Sequence, residues 1–116
     1  MSVKSYNLEL IRGDNKSYAL HFTDAVGADI NITNYTIYFT VTDDLEATDD
    51  SHAKIVKTIT SHTNAVQGKS IINLLPADTN LLGDYYYDIQ VKRPSGSVET
   101  ILSGVITFNA DATKRS

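Results

Sequence analysis

An all-β sandwich of about seven antiparallel strands is the fold class this sequence predicts. Three observations carry it. Apolar residues recur with period two along most of the chain, turn-forming residues interrupt that pattern at short intervals, and no segment holds a helical period for even about ten residues. With 116 residues, 41% of them hydrophobic and 21% charged, the chain is large enough to bury a core unaided. It has no cysteine, so neither a disulfide nor a thiolate metal site contributes.

The strands follow in order. Tyr6 to Leu10 alternates and stops at the turn Arg12-Gly13-Asp14-Asn15. Ser17 to Thr23 places Tyr18, Leu20 and Phe22 on one face, and Asp24 to Asp29 turns again. Tyr35 to Thr42 is the clearest strand, with Tyr35, Ile37, Phe39 and Val41 opposite Thr36, Tyr38, Thr40 and Thr42. An acidic loop, Asp43 to Ser51, precedes Ala53 to Thr60. There Lys57 falls between Ile55 and Ile59 on the inward phase, which suits an edge strand. Ser70 to Leu75 is a short strand closed by Pro76, and Ala77 to Leu82 reads as one helical turn. Asp84 to Lys92 and Val98 to Phe108 complete the set, joined by the turn Pro94-Ser95-Gly96. The expected core is Tyr18, Leu20, Phe22, Ile37, Phe39, Val41, Ile72, Leu74, Tyr85, Tyr87, Ile89, Leu102, Ile106 and Phe108.

One local pattern narrows the class to an immunoglobulin-like sandwich. Gly83-Asp84-Tyr85 opens the sixth strand and has the spacing of a tyrosine corner, in which a tyrosine hydroxyl bonds back to upstream backbone. Gly83 and Tyr85 take those roles, and Tyr87 falls where antibody domains place a cysteine. No repeat or linker divides the chain, so residues 1–110 are read as one domain and 111–116 as a polar tail.

Chemistry is poorly represented. His21, His52 and His62 are scattered without metal-ligand spacing. Asp50-Ser51-His52 names the parts of a nucleophilic triad, but adjacent residues on an extended chain diverge. The acidic run Asp43, Asp44, Glu46, Asp49, Asp50 lacks the alternating order that wraps a loop around calcium. No catalytic, cofactor-binding or metal residue is therefore expected, and the chain reads as a non-enzyme. Arg12-Gly13-Asp14 matches an integrin-binding tripeptide and equally suits an ordinary β-turn. The sequons at Asn15, Asn31 and Asn34 need a secretory route, and no apolar signal core opens the chain. A net charge of −4, with no concentration of Lys and Arg, argues against nucleic acid. No apolar run approaches the ~20 residues of a membrane span, so no membrane insertion is expected.

Read end to end, the chain resembles the immunoglobulin-like N-terminal module of phage upper baseplate proteins and related tail and virion modules. The resembling blocks are Ile11-Arg12-Gly13-Asp14, Ile32 to Val41, Ala53 to Thr60 and Gly68-Lys69. Leu74-Leu75-Pro76-Ala77-Asp78-Thr79-Asn80-Leu81 and Gly83 to Gln90 are the most specific, with Gly96-Ser97-Val98 and Leu102-Ser103-Gly104 closing the match. The resemblance implies a non-enzymatic virion structural protein of the tail, neck or head surface, assembled in the host cytoplasm. It implies other virion proteins as partners and a homo-oligomer or other symmetric assembly. Upper baseplate proteins continue into a stalk or receptor-linking region, so a stalk role is not expected of this chain.

Alternation also assigns an outer face. If the third, sixth and seventh strands share a sheet, Tyr38, Tyr86, Ile101 and Val105 form an exposed protein-binding patch, with Thr40, Asp88, Gln90 and Ser103 among them. The alternative is a carbohydrate- or receptor-binding adhesion domain, its exposed aromatics stacking on sugars.

Overall fold

The computed structural model describes residues 4–46 and 52–112. Its elements are β1 (Lys4–Ser5), β2 (Leu8–Ile11), β3 (Lys16–His21), β4 (Thr36–Thr42), β5 (Ala53–Ile59), β6 (Lys69–Leu74), β7 (Gly83–Lys92) and β8 (Val98–Asn109). No α-helix occurs among the described residues. The large sheet runs β1–β8–β7–β4–β5, with β2 also on β8, and β3 pairs with β6 in a second sheet. Because β1 and β2 lie along the same strand, they act as one interrupted strand and the sandwich has seven strand lines. Both pair parallel to β8, whereas the other ladders are antiparallel.

Strict alternation on β4 explains the core. Ile37, Phe39 and Val41 are fully buried while Thr36, Tyr38, Thr40 and Thr42 are half-buried on the opposite face. Nine of the expected core residues are buried: Ile37, Phe39, Val41, Ile72, Leu74, Tyr87, Ile89, Ile106 and Phe108. Tyr18, Leu20, Phe22, Tyr85 and Leu102 are partly buried and pack against them. Phe39 meets Tyr87 with ring centroids 5.9 Å apart, and Tyr85 sets its edge against Phe108 at 5.7 Å. Leu10, Ile32, Ile55 and Val91 are buried as well.

β5 is an edge of the large sheet. Lys57, opposite Phe39 and therefore on the inner face, reaches Asp78 with Nζ 2.8 Å from Oδ2. The same carboxylate oxygen accepts the Leu75 N–H at 2.8 Å. Burial alone would raise the Asp78 pKa, but these two bonds outweigh it and hold the carboxyl below its ordinary value. Pro76–Thr79 is a turn closed by the Thr79 N–H on the Leu75 carbonyl; it starts one residue before, and ends three residues short of, the helical turn expected over Ala77 to Leu82.

The chain's corners are tied by backbone. Arg12-Gly13 forms the centre of a β-turn in which the Asp14 N–H bonds to the Ile11 carbonyl, and Gly13 supplies the positive φ of 83°. Arg12 is engaged by Asp111 at 2.9 Å, and the buried Thr79 hydroxyl donates to the Asp14 carbonyl at 2.8 Å. This integrin-like tripeptide is thus built into the fold. Gly68 has φ 73°, and an added Cβ would lie 2.5 Å from the Ile30 carbonyl oxygen and 2.6 Å from that of Phe22.

The break between β1 and β2 serves a specific contact. The Tyr6 main chain presses on Gly104, where a Cβ would collide with the Tyr6 carbonyl, and that carbonyl accepts the Tyr87 hydroxyl. Burial, and then the neighbouring Tyr18 and Tyr6 phenols, push the Tyr87 pKa up to about 12. Tyr18 differs, because its buried hydroxyl has no hydrogen-bond partner.

Denaturant unfolding should separate these cases. Phe39→Ala is expected to cost about 3–5 kcal/mol, as for other truncated buried aromatics. Tyr87→Phe removes the donor from the part-buried bond to the Tyr6 carbonyl and should cost about 1–3 kcal/mol, whereas Tyr18→Phe removes an unpaired hydroxyl and should be neutral or stabilising. A loss on Tyr18→Phe as large as on Tyr87→Phe would contradict these assignments.

Candidate functional site: the outer face of the large sheet

Among the described residues no group of three or more His, Asp or Glu side chains converges as metal ligands would. His21 pairs with Asp29 at 2.8 Å on the surface, and His52 with Asp43 at 2.9 Å, where Lys54 also approaches Asp43 at 3.4 Å. The His52 ring therefore turns to Asp43; Asp50 and Ser51 lie outside the described residues, as does Asp49 of the acidic run. His62 is structural. Its Nε2 donates to the Tyr35 carbonyl at 2.8 Å, and its Nδ1 lies 2.8 Å from the Ser70 hydroxyl. That bond set joins the chain at the start of β4 to β6 in the other sheet.

A groove of about 350 Å³ opens between the edge strands β5 and β6, lined by Lys57, Thr58, Ile59, Thr60, Ser61, Ile71 and Asn73. Its lysine is already held by Asp78. No pair of groups there is placed for acid–base or nucleophilic work.

The residues of the expected tyrosine corner sit at the start of β7. Gly83 has φ 97° with open space around it, and Tyr85 turns its ring into the core against Phe108. The β7 hydroxyl that reaches distant main chain is that of Tyr87, on Tyr6.

The outer face takes its geometry from register. β8, β7 and β4 are adjacent in the large sheet. Tyr86 stands opposite Thr42 on one side and Val105 on the other, Asp88 opposite Thr40 and Ser103, and Gln90 opposite Tyr38. Tyr86 is 42% exposed, while Tyr38 and Val105 are half-buried. Ile101 departs from this face. The β7–β8 register shifts between Ile89 and Gln90, so Leu102 pairs with Ile89 and Thr100 with Gln90, leaving Ile101 as the extra residue of a bulge. Its side chain packs against the core. The apolar part of the face is therefore Tyr38, Tyr86 and Val105, with Val56 of β5 exposed at its margin.

Asp88 stands at the centre of this face, a residue the alternation placed there without marking it as special. It is half-buried, and burial raises its pKa above the ordinary carboxylate value, with a hydrogen bond from Gln90 offsetting part of that rise. No cation contributes. A carboxyl whose folded pKa is raised favours folding while protonated, and that contribution is lost as pH rises through the folded pKa. Ionised Asp88 thus costs stability at neutral pH. Asp88→Asn should raise the midpoint of thermal unfolding at pH 7, and the gain should shrink as pH falls through the carboxylate range. A variant less stable than the parent at pH 7 would contradict this.

No protein-family model matches the chain. No curated protein matches it by sequence. Solved structures do resemble it at low identity. The N-terminal domain of ORF48 of phage TP901-1 matches at 9% identity and a TM-score of 0.50, over 96% of this chain and 99% of that one. The soluble domain of PmoD from Methylocystis sp. ATCC 49242 (Rockwell) matches at 11% identity and a TM-score of 0.48, over 90% of this chain and 77% of that one. A family 123 glycoside hydrolase from Clostridium perfringens matches at 11% identity and a TM-score of 0.42, and the match spans 24% of its chain. At 9% identity the likeness to the phage domain is one of fold alone.

Proposed function

We propose that this chain is a non-enzymatic structural module of a phage particle, an immunoglobulin-like domain that joins other virion proteins in the tail, neck or head surface. The observation that carries the reading is the match to the N-terminal domain of a phage protein over nearly the full length of both chains. It agrees with the series of sequence blocks that resembles the N-terminal module of phage upper baseplate proteins. The site geometry supports it too: a broad sheet face is left partly apolar, as an interaction surface requires. A symmetric assembly of several copies belongs to the same reading.

A sugar- or receptor-binding role is favoured by one feature, the exposed Tyr86 beside Asp88 and Gln90, since an aromatic ring next to polar acceptors suits a carbohydrate.

Mass spectrometry of purified particles produced from the genome that encodes the chain separates the two. The chain is expected in the particles at fixed stoichiometry to a major virion protein, and without saturable binding on a glycan array. Its absence from particles, with a defined glycan bound, would overturn the proposal.

A further inference from the structure

We infer that the outer face of β4, β7 and β8 is a docking site for a basic segment of a different protein, with Asp88 receiving an arginine or lysine side chain. This deepens the virion-module reading and rests on it for the identity of the partner. The binding chemistry itself does not depend on it.

Asp88 is flanked laterally by Thr40 and Ser103 and along its own strand by Tyr86 and Gln90; Tyr38 and Val105 lie on the diagonals. None of these is cationic. The lysines on the same face are remote or engaged. Lys54 lies on β5 with its ammonium 3.4 Å from Asp43, and Lys92 stands beyond Gln90 at the end of β7. Elsewhere among the described residues, Arg12–Asp111, Lys57–Asp78 and Arg93–Glu99 are ion pairs that do not involve Asp88.

A half-buried carboxylate without a counter-charge is what a partner's cation completes. The surroundings favour it further, because Tyr86 next but one along the strand and Tyr38 on the diagonal put two aromatic side chains on the same face as Asp88, a setting that suits a guanidinium. Charge also selects among occupants. Two copies meeting symmetrically through this face would bring two Asp88 carboxylates together, and the chain as a whole carries −4. A second copy is thus disfavoured here, and a basic heterologous partner is favoured.

The probe is a capped Gly-Arg-Gly tripeptide, with capped Gly-norleucine-Gly as its uncharged control, titrated into isotopically labelled full-length chain and followed by NMR. Saturable shifts are expected at Tyr38, Thr40, Tyr86, Asp88 and Ser103 with the arginine peptide only. Asp88→Asn should weaken binding at least about tenfold while keeping the fold, as judged by an unchanged amide spectrum away from the face. Shifts scattered over all surface carboxylates, or unaltered by Asp88→Asn, would overturn the inference. So would concentration-dependent self-association through these residues, since a second copy would then cover the face. Particle mass spectrometry reads the virion assignment separately, so either idea can fail alone.

Discussion

The phase of β7 is the constraint on which the remainder of the molecule depends. Tyr85, Tyr87, Ile89 and Val91 turn inward, and Tyr86, Asp88 and Gln90 turn outward. Because a strand's period is two, a slip of one residue would exchange these sets, exposing the Phe39–Tyr87 contact and burying a carboxylate. β7 pairs with both β4 and β8, so its phase also sets theirs. Core and candidate binding face are the two sides of one decision.

What keeps that decision from sliding, in a chain without disulfides, is a small number of polar ties across the sandwich. The Tyr87 hydroxyl holds the Tyr6 carbonyl where β1 gives way to β2, and Gly104 leaves room for it. His62 bridges the start of β4 and the buried Ser70 of β6. Thr79 anchors the β2–β3 turn, and Lys57 ties the β5 edge to the turn before β7. Each satisfies a group that burial would otherwise penalise, so each fixes position as well as adding modest stability.

Much of this was legible in the sequence because strand phase is a local property. The alternation of Tyr35 to Thr42 and of Asp84 to Lys92 is written residue by residue, and the edge position of Lys57 follows from one charge on an inward phase. The features that escaped are relational. Ile32 is buried in a loop, its N–H on the Ala65 carbonyl, and no periodicity marks it. The bulge that turns Ile101 toward the core exists only against β7. Parallel pairing of β1 and β2 with β8 depends on which edge the first strand joins. Asp88 likewise looks like an ordinary outward acid until Thr40 and Ser103 are placed beside it and no lysine is found there.

The phase of β7 can be read directly because the chain has no cysteine of its own. Single replacements Tyr86→Cys, Tyr87→Cys, Asp88→Cys and Ile89→Cys, labelled with a thiol reagent under native conditions, report each side chain's access to solvent. Alternation is expected, with positions 86 and 88 reacting at least about tenfold faster than 87 and 89. Uniform reactivity along the strand, or faster labelling at 87 and 89, would contradict it.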